Sequence, residues 1–201
     1  MRVLGPDHRD TLNVTGSLGN LLQGQGKFAE AEPLLRSTLD GRRRVLGSES
    51  RDTLAALNVY GLLLMMQGKP TQAEPYWREA YETGRRVLGP SDPDALIWTA
   101  NMGGLLSDLG RLDDAAKLYN EAAEGFRRVR GEEHPNTLGC MNSLALTLTR
   151  QGKLDEAERI MFRVLEAQRR TLGPEHPSTM HTLASLGTNQ NMQGKLDDAD
   201  A

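Results

Sequence analysis

Apolar residues recur along this chain at helical spacing, in paired segments that are separated by short polar turns. In the first segment of one pair they lie three or four positions apart, on one face of a helix: Leu138, Met141, Leu144, Ala145 and Leu148. The second segment of that pair has the same spacing: Ala157, Ile160, Met161, Val164 and Leu165. We therefore predict two amphipathic helices joined by a turn at Gly152, because glycine commonly follows the last residue of a helix.

The same pattern returns along the whole chain in steps of 42 residues. Three series of small residues mark the period: Gly5, Gly47, Gly89, Gly131 and Gly173; Gly26, Gly68, Gly110, Gly152 and Gly194; Ala31, Ala73, Ala115, Ala157 and Ala199. A fixed period of about 20–50 residues is typical of solenoid proteins. The predicted organisation is one array over residues 1–201, cut from a longer one: 1–4 as the tail of a preceding unit, 5–46, 47–88, 89–130 and 131–172 as complete repeats, and 173–201 as a truncated fifth.

The period predicts an all-α fold, a right-handed α-solenoid of tandem helix-turn-helix repeats, in which each unit buries its apolar face only against its neighbours. Three histidines are expected to cap the first helix of their repeats: His8, His134 and His176. Pro135 follows His134 and fits the first helical position, where a missing N–H costs nothing. Pro33 and Pro75 are interpreted as first-turn prolines of second helices, because helix interiors resist proline.

Three features of the unit resemble the tetratricopeptide repeat: a small residue in the middle of the first helix, a Gly-Lys turn, and the alanine early in the second helix. The mid-helix residues are Gly19, Gly61, Gly103, Ala145 and Gly187. The usual unit has about 34 residues, whereas the 42-residue form with the connector Gly173-Pro174-Glu175-His176-Pro177 is similar to the kinesin light chain class. The resemblance implies a non-catalytic protein-interaction scaffold that binds an extended peptide in a concave groove. The alternative is a structural spacer or sensor module of a larger multidomain protein, without a peptide ligand.

The expected groove is the face of the first helices that turns away from the buried stripe, since about 100° separates successive residues. The candidate residues are Asn13, Asn20, Gln23, Asn58, Met65, Ser107, Asn142, Thr149 and His181. The resemblance implies that asparagines at the position of Asn58 and Asn142 contact the peptide, as they do in kinesin light chain-like repeats. The equivalent residues in the other repeats are Gly16, Ala100 and Ala184, so the series of asparagines is interrupted.

Composition and motifs favour no other class of function. The net charge is -3 and acidic rows accompany the arginine clusters, so no nucleic-acid or anionic-membrane partner is expected. No catalytic motif, cofactor site or metal-ligand spacing occurs, and we expect neither an enzyme nor a cofactor. The single cysteine, Cys140, is expected to be packed, and a lone cysteine fits a reducing, cytoplasmic compartment. We expect a monomer with possible end-to-end self-association, because both ends of the array expose apolar helix faces.

Overall fold

The computed structural model describes residues 4–194, which form nine α-helices and no strand. The helices are α1 Arg9–Gly24, α2 Phe28–Leu46, α3 Arg51–Met66, α4 Pro70–Leu88, α5 Pro93–Asp108, α6 Leu112–Arg130, α7 Pro135–Arg150, α8 Leu154–Thr171 and α9 Pro177–Met192. The predicted all-α class is therefore confirmed. Residues 1–3 of the predicted tail and residues 195–201 of the predicted fifth repeat, which include Ala199, lie outside the described residues.

Helix boundaries repeat with the 42-residue period of the sequence. The first helices of the repeats begin at Arg9, Arg51, Pro93, Pro135 and Pro177, and the second helices at Phe28, Pro70, Leu112 and Leu154. Their lengths repeat as well: the first helices have 16 residues each, and the second helices have 18 or 19. Each repeat is thus a hairpin of two α-helices.

The chain divides into two compact units, with the boundary between Trp98 and Thr99 inside α5. In the first unit α1 packs against α2, α2 against α3 and α3 against α4, and α1 also contacts α3. In the second unit α6 packs against α7, α7 against α8 and α8 against α9, and α7 also contacts α9. Within each unit the contacts thus join near neighbours in sequence, as in a solenoid. The assignment of residues 1–201 to a single array of five repeats remains a prediction.

Small residues fill the positions where neighbouring helices approach most closely. The alanines early in four second helices have no exposed surface: Ala31, Ala73, Ala115 and Ala157. In α3 a Cβ atom added to Gly61 would lie 2.4 Å from Cδ1 of Trp77, and one added to Gly19 in α1 would lie 2.6 Å from Leu35. Such distances are far inside van der Waals contact. The predicted packing role therefore holds for these two glycines, whereas a Cβ on Gly187 in α9 would meet nothing within 4 Å among residues 4–194.

Each of the three histidines at a helix start is an N-cap, as the sequence predicts. The Nδ1 atom of His134 accepts a hydrogen bond from the backbone N–H of Asn136 at 3.1 Å. His8 and His176 accept the equivalent bond at 3.2 Å. Side-chain acceptors at this position satisfy one of the amide donors that have no partner inside the helix. Capping by itself explains why histidine stands at this position.

The interpretation of Pro33 and Pro75 as first-turn prolines is wrong. Each is the sixth residue of its helix, counted from Phe28 and Pro70, and each lies inside the helix. By then the helix has begun its regular bonds, because Ala31 already donates its N–H to the carbonyl of Lys27 at 3.0 Å. Both prolines are exposed, as is the residue four positions earlier, so water can reach the carbonyl that loses its donor.

Arginines at the ends of the second helices bind acidic residues of the connector at the start of the same repeat. Arg44 binds Asp7 at 2.6 Å and Arg86 binds Glu49 at 2.8 Å, and Arg170 binds Glu133 in the same way. The Arg44 guanidinium holds the pKa of Asp7 below its usual value, and Arg86 does the same for Glu49. These pairs join the end of a helical hairpin to its beginning, and the sequence analysis, which noted only that acidic rows accompany the arginine clusters, did not predict them.

Candidate functional site

In the second unit, four of the predicted groove residues line two cavities on the first-helix side. One cavity of about 610 Å³ lies between α7, the end of α8 and α9, and Asn142 and His181 are among its lining residues. Another of about 580 Å³ is lined by Ser107, Thr149 and again His181. Volumes of this order are typical of small-ligand sites, which span about 300–1,000 Å³. The common residue, His181, makes the two cavities parts of one surface.

Hydrogen bonds between helices fix the polar side chains of the 580 Å³ cavity. Arg150 donates from Nη1 to Oγ of Ser107 at 2.6 Å, and Thr149 donates its hydroxyl to Oδ1 of Asn189 at 2.8 Å. Asn189 has no exposed surface and donates in turn to the carbonyl of Leu154 at 3.0 Å. Ser107 and Thr149 are each 9% exposed, so they form the wall of the cavity and not its open rim.

Tyr119 of α6 also lines this second cavity, although the sequence analysis did not select it. Burial raises the pKa of the Tyr119 hydroxyl, which therefore stays protonated over the physiological range. A neutral phenol offers both an O–H donor and an acceptor oxygen. The second helices thus contribute polar groups to a face that was assigned to the first helices alone.

Asn142 and Gln168, which line the 610 Å³ cavity, each have a buried side-chain oxygen. Oδ1 of Asn142 and Oε1 of Gln168 are both shielded from solvent, and neither has a hydrogen-bond partner in the part of the chain that the structure describes. Gln168 is only 6% exposed, whereas Asn142 is half-buried. Buried polar atoms are nearly always hydrogen-bonded in folded proteins. Because neither oxygen has solvent-accessible surface, Asn142 and Gln168 line the cavity with other atoms of their side chains.

In the first unit, the predicted residues of α1 lie around a much smaller cavity. Asn13 and Asn20 are exposed and line a space of about 170 Å³, together with Arg42 of α2. The Arg42 guanidinium donates from Nη2 to Oδ1 of Asn13 at 3.2 Å and from Nη1 to the carbonyl of Asp52 at 3.1 Å. This arginine occupies the space between the two first helices, so Asn13 already has a partner.

The remaining three candidates of the first unit differ in their accessibility. Gln23 is 6% exposed and donates its amide to Sδ of Met66 at 3.3 Å, so it packs between helices and is hardly accessible to a ligand. Asn58 is half-buried on α3, and its backbone carbonyl accepts a hydrogen bond from Nε1 of Trp77 at 2.9 Å. Met65 is half-buried. The structure thus brings Asn13 and Asn20 to one cavity and does not join Gln23, Asn58 or Met65 to it.

Other kinds of site have little support within residues 4–194. No group of three or more histidine, cysteine, aspartate or glutamate residues in this range is placed to hold a metal ion. None of the helices described is long and apolar enough to cross a membrane. Cys140 is 6% exposed, and burial raises the pKa of its thiol to about 12, so it is not a reactive nucleophile in the folded chain.

The helical hairpins, which pack against near neighbours in sequence, define an all-α solenoid. Family models of the tetratricopeptide repeat match residues 11–52, 52–127, 95–161 and 140–201, and the chain belongs to this family. Tetratricopeptide repeats generally mediate protein–protein interactions, and the chain is a protein-interaction scaffold of that class. No curated protein sequence matches the chain.

Solved structures of kinesin light chain-like repeat proteins have the same fold. Two are of a kinesin light chain-like protein from Podosopora anserina with nearly identical TPR-like repeats. The structure of a point variant of that protein aligns with a TM-score of 0.85 at 22% sequence identity, and the alignment covers 99% of this chain and 92% of the other. The second structure aligns with a TM-score of 0.84 at 21% identity, and the alignment covers 98% of this chain and 92% of the other. BtubC (BKLC) from P. vanneervenii has a TM-score of 0.81 at 20% identity and covers 95% of this chain and 76% of that one. The predicted resemblance to the kinesin light chain class is confirmed at the level of fold.

Proposed function

We propose that this chain is a non-catalytic scaffold that binds an extended segment of a partner protein along the face lined by the first helices of its repeats. The observation that carries the proposal is the pair of cavities in the second unit, which share His181 and include Asn142, Ser107 and Thr149 in their walls. An extended peptide places every second side chain on the same side, so two side chains that are two residues apart in one segment enter the two cavities. We place this interaction in the cytoplasm, without nucleic acid or membrane as a partner.

Asn142 is the residue whose substitution tests this proposal most directly. Asn142 is half-buried, and an asparagine side chain offers both an acceptor and a donor, which suits a peptide backbone. A hydrogen bond of this kind contributes about 0.5–1.5 kcal/mol. Losing it should weaken binding about two- to tenfold.

The test begins with a pull-down that uses the full-length protein as bait, followed by affinity measurements on the segment that is recovered. The change is Asn142→Ala, and Asn58→Ala tests the equivalent position in the first unit separately. Asn120→Ala is the matched control, because Asn120 is an exposed asparagine on the second helix α6. We expect weaker binding for Asn142→Ala, unchanged binding for Asn120→Ala, and melting temperatures close to that of the original chain.

Binding that Asn142→Ala leaves unchanged would contradict the groove assignment. The runner-up function, a spacer or sensor module within a larger multidomain protein, predicts that no segment binds to this face at all. Self-association is a further proposal: the chain is a monomer that associates end to end at high concentration. Sedimentation over a concentration series tests it, and a single monomeric species at every concentration would disprove the association.

A further inference from the structure

One face of α1 is apolar and exposed, although the same positions are buried in later repeats. Its residues lie three or four positions apart, along one stripe of the helix: Val14, Leu18 and Leu21, which are 69%, 46% and 59% exposed. In α3 the residues 42 positions later are at most 6% exposed: Ala56, Tyr60 and Leu63. In α9 their equivalents are at most 4% exposed: Thr182, Leu186 and Asn189. The stripe on α1 therefore has the residue positions of a repeat interface but remains exposed.

In the later repeats, the second helix of the preceding repeat covers these positions. Leu186 of α9 packs in one cluster with Met161 of α8, and α3 likewise packs against α2. Asn189, which stands where Leu21 stands in α1, donates its side-chain amide to the carbonyl of Leu154 at 3.0 Å. Leu154 is the first residue of α8. The stripe on α1 therefore fits the beginning of a second helix.

Polar groups after the end of the first helices bind acidic residues near the start of the preceding second helix. Three glutamines donate to such an acid: Gln67 to Glu32 at 2.9 Å, Gln151 to Asp113 at 2.9 Å and Gln193 to Asp155 at 3.0 Å. Lys69 adds its charge, with Nζ 3.9 Å from the carboxylate of Glu32. In the first repeat these positions are Gln25 and Lys27, and both are exposed. They offer the same two groups to an acidic residue.

The last residues of this chain have the sequence of such a second-helix start. Residues 196–201 read Leu-Asp-Asp-Ala-Asp-Ala, and 42 residues earlier α8 begins Leu-Asp-Glu-Ala-Glu-Arg. Leu196 and Asp197 thus stand where Leu154 and Asp155 stand in the preceding repeat. The segment provides both the apolar residue that the stripe fits and the acid that Gln25 lacks.

The charges of the two surfaces are complementary. No charged residue occurs between Asp10 and Lys27, so the stripe on α1 places no carboxylate opposite an acidic segment. Lys27 offers the positive charge that Lys69 offers to Glu32. Opposite charges across an interface favour the correct partner and fix its register.

We propose that α1 of one copy binds residues 196–201 of a second copy, with Leu196 against Leu21 and Asp197 against Gln25. The inference rests on the self-association proposed above and names the two surfaces that meet. Because the surfaces differ, the contact is head-to-tail, and association continues beyond the dimer. A segment this short buries less than the about 1,200 Å² of a standard interface, so the association is weak.

Sedimentation equilibrium of the intact chain over a concentration series measures this association, and we expect an average mass that rises past that of a dimer. Gln25→Glu keeps the size of the side chain but places a carboxylate against Asp197. It should weaken association about two- to tenfold, as expected for a lost hydrogen bond. Gln72→Glu is the matched control, because Gln72 is exposed on α4, and this variant should associate like the original chain.

Asp197→Lys tests the other surface and should weaken association in the same way. A one-to-one mixture of the Gln25→Glu and Asp197→Lys chains should regain it, because the new carboxylate of one chain faces the new ammonium group of the other. Recovery in the mixture also shows that neither variant had lost its fold.

The outcomes separate this inference from the proposed function. If Asp197→Lys associates like the original chain, or the mixture shows no recovery, the assigned surfaces are wrong, although the proposed self-association stands. A mass that stops at the dimer would instead indicate two identical surfaces and would overturn the head-to-tail contact. A single monomeric species of the original chain at every concentration would refute both this inference and the self-association. The peptide groove is decided separately, by the binding measured for Asn142→Ala.

Discussion

Gly61 in α3 gives the sharpest test of how the helices pack, because another mid-helix glycine provides an internal control. Replacing Gly61 with alanine would place a Cβ atom 2.4 Å from both Cδ1 and Nε1 of Trp77. Trp77 is 5% exposed and donates its indole N–H to the carbonyl of Asn58 at 2.9 Å. The bulky ring must therefore move within a packed interior, and its hydrogen bond is strained by the movement.

The expected magnitude follows from three opposing effects. Alanine is the better helix former, which stabilises the variant by about 1 kcal/mol. Overpacking a filled interior costs about 1–3 kcal/mol. Loss of the Trp77 hydrogen bond adds about 0.5–1.5 kcal/mol. Subtracting the gain in helix propensity from the two costs, we expect Gly61→Ala to lower the free energy of unfolding by about 0.5–3.5 kcal/mol.

Gly187→Ala is the matched control, since Gly187 occupies the same position of the repeat and a Cβ there meets nothing within 4 Å in the part of the chain that the structure describes. Only the helix-forming effect remains, so this variant should be stabilised by up to about 1 kcal/mol. Urea unfolding followed by circular dichroism measures both changes. If the two variants shift in the same direction, the small residues are not there to admit the neighbouring helix, and the packing argument is refuted.

Two further predictions concern single groups. Cys140 should react with iodoacetamide only when the chain unfolds, because its thiol is buried and its pKa is raised to about 12, and mass spectrometry of native and urea-treated samples checks this. Arg86→Gln should lower the melting temperature at neutral pH but not in acid. Arg86 lowers the pKa of Glu49 in the folded chain, so the pair stabilises the fold at pH values above the ordinary glutamate pKa of 4.5. This stabilisation is lost as the pH falls through the pKa that Glu49 has in the folded chain. Arg128→Gln, where Ser91 replaces the acid, should show no such pH dependence.

Most of the fold could be predicted from the sequence because the signals that specify it are local and periodic. The turn at Gly152 needs only a residue that accepts positive φ, and the structure gives it a φ of 77°. The cap at His134 needs an acceptor next to the first helical residue. Pro33 was misinterpreted because propensity rules place proline at the start of a helix, whereas exposure to water decides whether an interior position can hold it.

The candidate site was predicted less completely, because burial depends on which helices meet. Helical periodicity places Gln23 and Thr149 off the buried stripe of their own helix, yet both are buried by contacts with the next first helix along the chain. Gln168 was missed for a different reason. The groove was assigned to the first helices alone, and nothing in the local sequence indicates that the end of a second helix contributes to the wall of a cavity.

Periodic positions and interrupted positions therefore have different roles in this chain. Where the period is kept, as at Ala73 and Ala157, the residue has no exposed surface and holds two helices together. Where the period is broken by a shorter or smaller residue, as at Gln168 and Gly139, the shared backbone geometry remains but the side chain that would fill the interior is absent. A shorter residue at one repeat position does not by itself leave a cavity, because Gly84, the equivalent of Gln168 two repeats earlier, is packed against Trp98, and a Cβ atom there would lie 2.4 Å from the indole ring. Whether an interrupted position becomes a cavity therefore depends on which side chains the neighbouring helices bring to it.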